Sequence, residues 1–391
     1  MKKEVCIGLL VGGIFLASFL SAQDSPDWLR SIQLFQMFKG YFIQPCPILS
    51  SVPFTGQGWG VYFPNDLYEY TFLQEIASWH QNNRPYLSMG ATTILYYDSA
   101  IGVPNSHRMR DLEGHEVEYM GCKRYTPASL AWRNFVKQAN RRAIDLGVDG
   151  IQFDEGQVTP LLMCDWNAQP ATFDSVTMVD FRDYLASKYT QTELLARFGI
   201  SDITAFRFDE YIRSHGLQES WNKEPFTGLG AEFFQYLIAE TRDYFRELRD
   251  DAKTYAWEKY RRPIVFSSNP CFAPEGYMLV DIMDYFIAED FPFDPRDPFS
   301  YTDIKAIKGM RDWPVFVIPE PKEPGLPLQT KNMMRFLLAD IYGAGGEMAF
   351  GEKLSEGILH TGANAIEVDF ETFGRYARFI LGHRALYEGL T

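Results

Sequence analysis

The central and C-terminal parts of the chain alternate between segments with helical periodicity and short apolar segments typical of buried strands. Residues 127–147 place apolar side chains on one helical face, Gly147 ends that helix, and the strand-like run VDGIQFDE follows. The same order recurs where a long helical run over 231–260 precedes RRPIVFSSN. Repeated helix-then-strand units predict a parallel sheet with right-handed crossovers.

The number of strand-like segments narrows the fold within this class. The candidates are residues 34–42, GVYFP, RPYLSMGATTI, VDGIQFDE, RRPIVFSSN, VDIMDYFIAED, PVFVIPEP and EMAFGEK. About eight strands favour an α/β fold of the (β/α)8 TIM-barrel type over an open doubly wound sheet. No GxGxxG run follows a strand, which argues further against a dinucleotide-binding fold.

One segment interrupts the alternation. Residues 160 to about 226 show helical patterns with polar joints and no strand pattern. They predict a helical insertion after the fourth strand, which would lie above the carboxyl ends of the strands and wall a site there. Since no repeat, low-complexity tract or linker divides the chain, residues 23–391 are predicted to form a single catalytic domain.

The N-terminus, MKKEVCIGLLVGGIFLASFLSAQ, has the pattern of a secretory signal peptide. Lys2 and Lys3 precede an apolar run over 7–20, and LSA precedes Gln23. A membrane anchor is the competing interpretation, but a spanning helix needs about 20 apolar residues. Residues 1–22 are therefore predicted to be removed, leaving a secreted or periplasmic protein without a membrane span.

Composition excludes some classes of partner and cofactor. The formal net charge of −14 argues against nucleic acid or another polyanion as a partner. The histidines form no HExxH motif and the cysteines form no CxxC motif, so neither a metal site nor another cofactor is predicted. The 31 Phe, 22 Tyr and 8 Trp are enough to fill a core and also to line a cleft that stacks on sugar rings.

Acidic or amide side chains accompany the ends of most predicted strands. They are Asp154, Glu155, Asn269, Glu289, Asp290, Glu320 and Glu347. In a parallel barrel the carboxyl ends of all strands meet on one face. Carboxylates that converge there push their pKa values apart, so that one stays protonated and another stays ionised. Glycoside hydrolysis requires this arrangement, and the candidate catalytic acids are Glu155, Glu320, Glu289 and Asp154.

The remaining polar and aromatic candidates suit a carbohydrate substrate. Asn269, Asp290 and Glu347 are expected to hydrogen-bond sugar hydroxyls, while Trp166 and Tyr97 are expected to contact sugar rings. Weaker stacking candidates are Trp59, Trp132 and Trp221, of which Trp132 lies on a helix face typical of a core residue. Each acid also has a structural alternative, as a helix cap or as the partner of an arginine.

Three segments resemble a known class of enzyme. YTPASLAWRNFVKQANRRAIDLGVDGIQFDE resembles the segment that leads to the fourth strand of glycoside-hydrolase barrels. FRDYLASKYTQTELLARFGI is similar to a segment of the family 42 β-galactosidases and their relatives, and DIYGAGGEMAF resembles the run into their eighth strand. The resemblance extends over residues 120–390 and implies a TIM barrel that hydrolyses O-glycosidic bonds without a cofactor.

The resemblance leaves two catalytic schemes open. Barrels of the class that includes family 42 end their fourth strand in Asn-Glu, and Glu155 matches that glutamate. Their nucleophile is a Glu on the seventh strand, and Glu320 matches it. Asp154 stands where those enzymes have Asn. Barrels of the α-amylase and α-galactosidase type have a nucleophilic Asp at the fourth strand, which matches Asp154, with Glu289 or Asp290 as acid/base. The anomeric preference therefore stays open.

Two functions of other classes compete with a glycosidase. A non-catalytic barrel that binds carbohydrate would use the same aromatic and acidic residues, because a fold alone does not establish catalysis. A hydrolase that depends on Mg²⁺ or Ca²⁺ would need a cluster of oxygen ligands, and the sequence shows none with recognisable spacing.

Overall fold

The computed structural model describes somewhat more than half of the chain. The described residues are 29, 34–39, 56–60, 87–91, 102–119, 122–145, 147, 149–153, 172–223, 227–268, 278–293, 299–311, 313–321, 338–350 and 370–386. The predicted signal peptide lies outside them.

The strands form a parallel sheet that closes on itself. In chain order they are β1 (Leu34–Lys39), β2 (Gly56–Gly60), β3 (Leu87–Ala91), β4 (Glu118–Tyr119), β5 (Cys122–Lys123), β6 (Gly150–Phe153), β7 (Val265–Ser268), β8 (Tyr285–Phe293), β9 (Val315–Pro321) and β10 (Glu347–Phe350). β4 and β5 form a separate antiparallel pair. The others pair in parallel in the closed order β1-β10-β9-β8-β7-β6-β3-β2. The prediction of an α/β fold with a parallel sheet is confirmed.

Helices precede several of the barrel strands, as the alternation predicts. They are α1 (Leu130–Asp145), α2 (Ser175–Lys188), α3 (Gln191–Phe198), α4 (Phe208–Ser214), α5 (Gln218–Lys223), α6 (Leu229–Tyr260), α7 (Phe299–Met310) and α8 (Phe370–Gly382), and residues 338–343 are also helical. α1 leads into β6, α6 into β7 and α7 into β9. None of the described helices combines the length and apolarity that crossing a bilayer requires.

The described bounds of two strands go beyond the prediction. β2 includes Gly56–Trp59, which precede the predicted run GVYFP, and of that run the structure describes only Gly60. Glycine supplies the backbone groups that barrel pairing uses as well as any residue, so a run with little apolar character forms a strand. β8 extends three residues beyond Asp290, to Phe293.

Strand side chains and the inner faces of the helices form the barrel core. Ile151, Val265 and Val315 are fully buried, as is usual for parallel strands that are covered on both faces. Phe153 of β6 packs edge-on against Phe245 of α6, with ring centroids 5.2 Å apart. This contact holds the helix before β7 against the strand next to it.

Ion pairs join α1 to α6 along their length. The pairs are Arg133 with Glu240 and Glu247, Lys137 with Glu247, Arg141 with Asp251, and Lys259 with Asp145. Partner numbers rise together on both helices, so the helices run parallel, as consecutive parallel strands require. The exposed pairs contribute little to stability, whereas Arg133 is 8% exposed and its pair with Glu240 is largely shielded from water.

The helices between β6 and α6 have a core of their own. Its aromatic members are Phe173, Phe181, Phe208, Trp221 and Phe233. The ring centroids of Phe181 and Phe233 are 4.8 Å apart, and those of Phe208 and Phe233 are 4.9 Å apart. Phe233 belongs to the first turns of α6, so this core fixes α2–α5 to the barrel helix that follows them. Trp221 is 5% exposed within this core, so its prediction as a sugar-stacking residue is wrong.

Candidate active site

The fourth and fifth barrel strands end next to predicted site residues. β6 ends at Phe153, directly before Asp154 and Glu155, and β7 ends at Ser268, directly before Asn269. Phe153 and Ser268 are register partners. The two strands therefore end at the same level of the barrel, and the predicted residues follow at once in the chain. Asp154, Glu155 and Asn269 themselves lie outside the described residues, as do Trp166 and Tyr97.

The sixth strand has a bulge at its two acidic residues. Ala288 of β8 is opposite Val317 of β9, and Phe291 is opposite Pro319, so three residue steps on β8 span two on β9. Glu289 and Asp290 lie between these two pairs. Bulges are frequent next to active sites, because the extra residue changes the direction of neighbouring side chains.

The seventh strand carries Glu320 close to its carboxyl end. Glu320 is the residue before the last in β9 and is the register partner of Pro292 on β8. β6, β7, β8 and β9 are consecutive neighbours in the barrel. Four adjacent strands thus carry or directly precede an acidic or amide residue at their carboxyl-terminal parts, on the face where barrel enzymes bind substrate.

Glu347 lies at the opposite end of the barrel from these residues. It is the first residue of β10, so its expected place at a carboxyl end is corrected. Its Oε2 accepts a hydrogen bond of 2.9 Å from the backbone nitrogen of Val315, and its Oε1 is 4.0 Å from Nζ of Lys308. A short run such as EMAFGEK carries acids at both ends, and the sequence alone did not show which end the strand includes.

A second acid at the amino ends uses the same arrangement. Asp284 directly precedes β8, and its Oδ2 accepts a hydrogen bond of 2.8 Å from the backbone nitrogen of Phe266 on β7. Its Oδ1 accepts another of 2.7 Å from Lys253 on α6. In both cases an acid at the start of one strand accepts a hydrogen bond from the preceding strand in the chain. A lysine from the helix that leads into that preceding strand lies close to the same acid. These acids stabilise the amino-terminal face of the barrel, which in barrel enzymes contributes to stability and not to catalysis.

Buried side chains connect β6, β7 and β8 to one another. Ser267 Oγ donates a hydrogen bond of 2.8 Å to the backbone oxygen of Tyr285 and links β7 to β8. Tyr285 is fully buried, and burial raises the pKa of its phenol, so it stays un-ionised. Phe153 and Phe266 pack with ring centroids 5.3 Å apart. The carboxyl ends of β6 and β7 are therefore packed together, and the end of β7 is bonded to the first residue of β8.

Two chain segments join to form a wall beside β6. Residues 102–129 follow β3, and residues 172–223 follow β6, which pairs with β3. The backbone nitrogens of Thr172 and Phe173 both donate to the backbone oxygen of Arg110, at 2.9 and 2.8 Å. Both segments lie in the chain between a barrel strand and the helix that leads to the next strand, and in barrel enzymes such segments form the face that binds substrate.

Side-chain contacts reinforce this wall. Arg213 donates a hydrogen bond of 2.6 Å to the backbone oxygen of Leu112, and the hydroxyls of Thr126 and Thr177 are 2.7 Å apart. Within the first segment, β4 and β5 pair as an antiparallel hairpin. Within the part of the chain that the structure describes, no group of three or more His, Cys, Asp or Glu side chains is arranged to hold a metal ion.

Sequence comparison finds agarases. No family model matches the chain. The α-agarase of Alteromonas agarilytica is 23% identical over 252 residues, which cover 56% of this chain and 17% of that enzyme. The α-agarase of Thalassotalea agarivorans is 24% identical over 252 residues, with the same coverage. The chain thus matches 17% of the length of these curated relatives.

Structure comparison also finds an agarase. A solved exo-β-agarase structure matches with a TM-score of 0.52 and 11% identity, over 88% of this chain and 46% of that chain. The chain shares the fold of this agarase. At 11% identity the match concerns the fold alone, and it confirms the prediction of a glycoside-hydrolase-like fold.

Proposed function

We propose that the chain is a secreted glycoside hydrolase that cleaves glycosidic bonds with a pair of carboxylates. Its single domain, residues 23–391, is a (β/α)8 barrel with a helical insertion after the fourth strand. The observation that carries the proposal is the placement of acidic residues along the carboxyl-terminal parts of adjacent strands, after β6 and within β8 and β9. The acids at the amino ends, Asp284 and Glu347, accept hydrogen bonds from backbone nitrogens of the neighbouring strands.

The preferred scheme assigns one carboxyl group to each of two strands. Glu155, after the fourth barrel strand, is the general acid that protonates the leaving oxygen. Glu320, on the seventh strand, is the nucleophile that attacks the anomeric carbon and forms a glycosyl-enzyme. Glu155 then acts as base and removes a proton from the water that releases the sugar.

The other scheme differs in the identity of both groups. Asp154 is the nucleophile, and Glu289 or Asp290 at the bulge of β8 is the acid/base. The bulge supports this scheme, because it interrupts the regular alternation of side chains at those two positions. Replacing Glu155, Glu289 and Asp290 separately distinguishes the schemes, since the first scheme requires Glu155 for proton transfer and the second requires Glu289 or Asp290.

The proposed substrate class is an agar-type polysaccharide. Two curated relatives are α-agarases, and the solved structure with the same fold is an exo-β-agarase. Asn269, Trp166 and Tyr97 would then bind sugar hydroxyls and ring faces. Membership of family 42, which the sequence resemblance suggested, stays a prediction.

The proposal is tested by incubating the chain with agarose, agar oligosaccharides and a panel of aryl α- and β-galactosides. The expected result is the release of new reducing ends from at least one substrate, and the substrate that reacts identifies the anomer. Retention of the chain on agarose without any cleavage would instead support the non-catalytic carbohydrate-binding function. If the chain neither cleaves any of these substrates nor is retained on agarose, the proposal is wrong.

A further inference from the structure

A strained residue lies where the two segments of the wall meet. Thr172 has a φ of 136°, a value that residues with a Cβ rarely adopt and that is most unfavourable for a β-branched side chain. Among the described residues, the only other non-glycine residue with a positive φ is Arg261, which follows the end of α6. Thr172 is fully buried, so contacts within the protein determine its conformation.

Hydrogen bonds hold Thr172 in this conformation. The backbone nitrogens of Thr172 and Phe173 donate to the backbone oxygen of Arg110 in the first segment, at 2.9 and 2.8 Å. The Thr172 hydroxyl donates to Oδ2 of Asp174 at 3.3 Å. Strained conformations persist only where the surrounding structure holds them, and they are concentrated at active sites and ligand clamps. Thr172 is therefore a candidate for a functional role and not only for a packing role.

Asp174 connects the same point to a second contact between the segments. Its Oδ1 accepts hydrogen bonds of 3.0 Å from the backbone nitrogens of Val176 and Thr177, and its Oδ2 accepts one of 2.7 Å from the Thr177 hydroxyl. Because that hydroxyl gives its only proton to Asp174, the Thr126 hydroxyl, 2.7 Å away, must be the donor to Thr177. A directed chain of buried hydrogen bonds thus runs from Thr126 of the first segment through Thr177 to Asp174.

The two segments also share a hydrophobic core. Leu112 of the first segment is 4% exposed and belongs to the same core cluster as Phe173 and the aromatic residues of the inserted helices. Arg213 of α4 donates a hydrogen bond of 2.6 Å to the backbone oxygen of Leu112. The wall is therefore one packed unit, and its polar contacts and its apolar contacts meet next to Thr172.

Arg110 connects the strained residue to an exposed polar loop, residues 110–116. Its backbone oxygen accepts the bonds from the second segment, and its Nη1 donates a hydrogen bond of 2.8 Å to the backbone oxygen of Gly114. The backbone nitrogen of His115 donates to Oδ1 of Asp111 at 2.8 Å, and the His115 side chain is 79% exposed. The loop is ordered by its own hydrogen bonds and presents imidazole, carboxylate and backbone groups that can hydrogen-bond sugar hydroxyls.

We propose that Thr172 is a positioning residue that holds the wall so that the 110–116 loop binds sugar units of an agar-type polysaccharide remote from the cleaved bond. The segments of the wall follow β3 and β6, which pair with each other, and such segments form the substrate-binding face of barrel enzymes. This inference rests on the proposed function, because the wall and the candidate acids then act on the same polysaccharide chain.

Strain at Thr172 contributes to binding through preorganisation. The folded protein holds the strained conformation before any substrate arrives, so the loop is already fixed to the inserted helices through Arg110. A surface that is fixed in advance loses little conformational entropy when it binds a ligand. Releasing the strain should therefore weaken polysaccharide binding and leave the reacting groups unchanged.

The test measures the affinity of the full chain for agar polysaccharide by native electrophoresis in gels that contain the dissolved polymer, which requires no turnover. Thr172→Gly releases the strain, because glycine adopts a positive φ readily, and it removes the hydroxyl that binds Asp174. We expect this variant to bind the polymer about tenfold more weakly, as a loss of preorganisation predicts. In hydrolysis of the same polymer, KM should rise by a similar factor while kcat changes little. A purely structural role would lower kcat through the folded fraction and leave KM unchanged.

Thr204→Gly, in the same inserted segment, is the matched control. The Thr204 hydroxyl also donates to an aspartate two residues away, Asp202, at 2.7 Å, but Thr204 is exposed and its φ is not positive. This variant should keep the wild-type affinity. Thr126→Val is a second test variant, because it keeps the side-chain shape and removes the donor to Thr177. Its affinity should fall by about threefold, as the loss of one hydrogen bond between the segments predicts.

The outcomes separate this inference from the proposed function. If folded Thr172→Gly binds the polymer as tightly as Thr204→Gly, the strain is a by-product of packing and the inference is wrong. It is also wrong if the polymer does not retard the wild type, even when the wild type hydrolyses galactosides. A wild type that is retarded but hydrolyses no substrate refutes the proposed hydrolysis, and the comparison of the variants by electrophoresis still decides the role of Thr172.

Discussion

Glu347 Oε2 accepts a hydrogen bond of 2.9 Å from the backbone nitrogen of Val315 and joins the start of β10 to the start of β9. Val315 is fully buried, so its nitrogen depends on this acceptor. Lys308 lies 4.0 Å from the second carboxylate oxygen. Glu347 therefore holds two strands together at the end of the barrel that is remote from the candidate acids.

Removing this acceptor is expected to lower stability and leave chemistry intact. Glu347→Ala leaves a buried N–H unpaired, which should lower the free energy of unfolding by about 1–3 kcal/mol. Glu347→Gln keeps an acceptor oxygen and should cost less than Glu347→Ala. Urea denaturation gives both values, and reducing-end release by the folded variants should equal that of the wild type. A Gln variant that is stable but inactive would show that Glu347 has a catalytic or binding role.

The extent to which sequence predicts this fold is clear from individual strands. β6 and β9 are apolar runs that each follow a segment with helical periodicity, and both are found where predicted. The part of β2 over Gly56–Trp59 was not predicted, because a run of glycines gives no hydrophobic signal, although its backbone pairs normally. The bulge at Ala288 and Phe291 depends on the register of two strands, which no local pattern in one strand encodes.

The site was less predictable than the fold, for a physical reason. An acid next to an apolar run stands either at the start or at the end of a strand, and these ends lie on opposite faces of a barrel. Glu320 and Glu347 illustrate the two cases. Trp221 shows a similar ambiguity, because an aromatic residue in an insertion fills its core as readily as it lines a cleft.

Arg133 and Arg141 provide a matched pair on α1. Arg133 is nearly buried and contacts Glu240 and Glu247, so Arg133→Ala leaves a shielded carboxylate without its cation. We expect a loss of about 3–5 kcal/mol in the free energy of unfolding. Arg141 is 45% exposed and pairs with Asp251, so Arg141→Ala should cost about 0–1 kcal/mol. Equal losses in chemical denaturation would contradict the difference in burial on which this expectation rests.

Asp209 should stabilise the fold only while its carboxyl group is ionised. Burial opposes its charge, but hydrogen bonds from Arg207, at 3.2 Å, and Arg213 prevail and lower the pKa of Asp209. A lowered pKa gives stability that is present above the unfolded value and lost as pH falls through the folded value.

Asp209→Asn is therefore expected to cost about 1.5–3 kcal/mol at neutral pH. The difference from the wild type should shrink as pH falls below about 4. Thermal unfolding of the wild type and of the Asp209→Asn variant as a function of pH measures this difference in stability. A difference that grows in acid would show that these arginines do not stabilise the ionised carboxylate.

The central claim is that the acid after β6 and the acid on β9 together cleave a glycosidic bond. The most direct measurement is the rate of reducing-end release from agarose by the wild type, Glu155→Gln and Glu320→Gln, with Glu347→Gln as the control at the other end of the barrel. We predict that each of the first two variants folds as the wild type does and loses activity by about 10²–10⁴-fold, the contribution typical of a positioned acid or base, or by more. The control should retain full activity. Wild-type rates in both Glu155→Gln and Glu320→Gln would contradict the account.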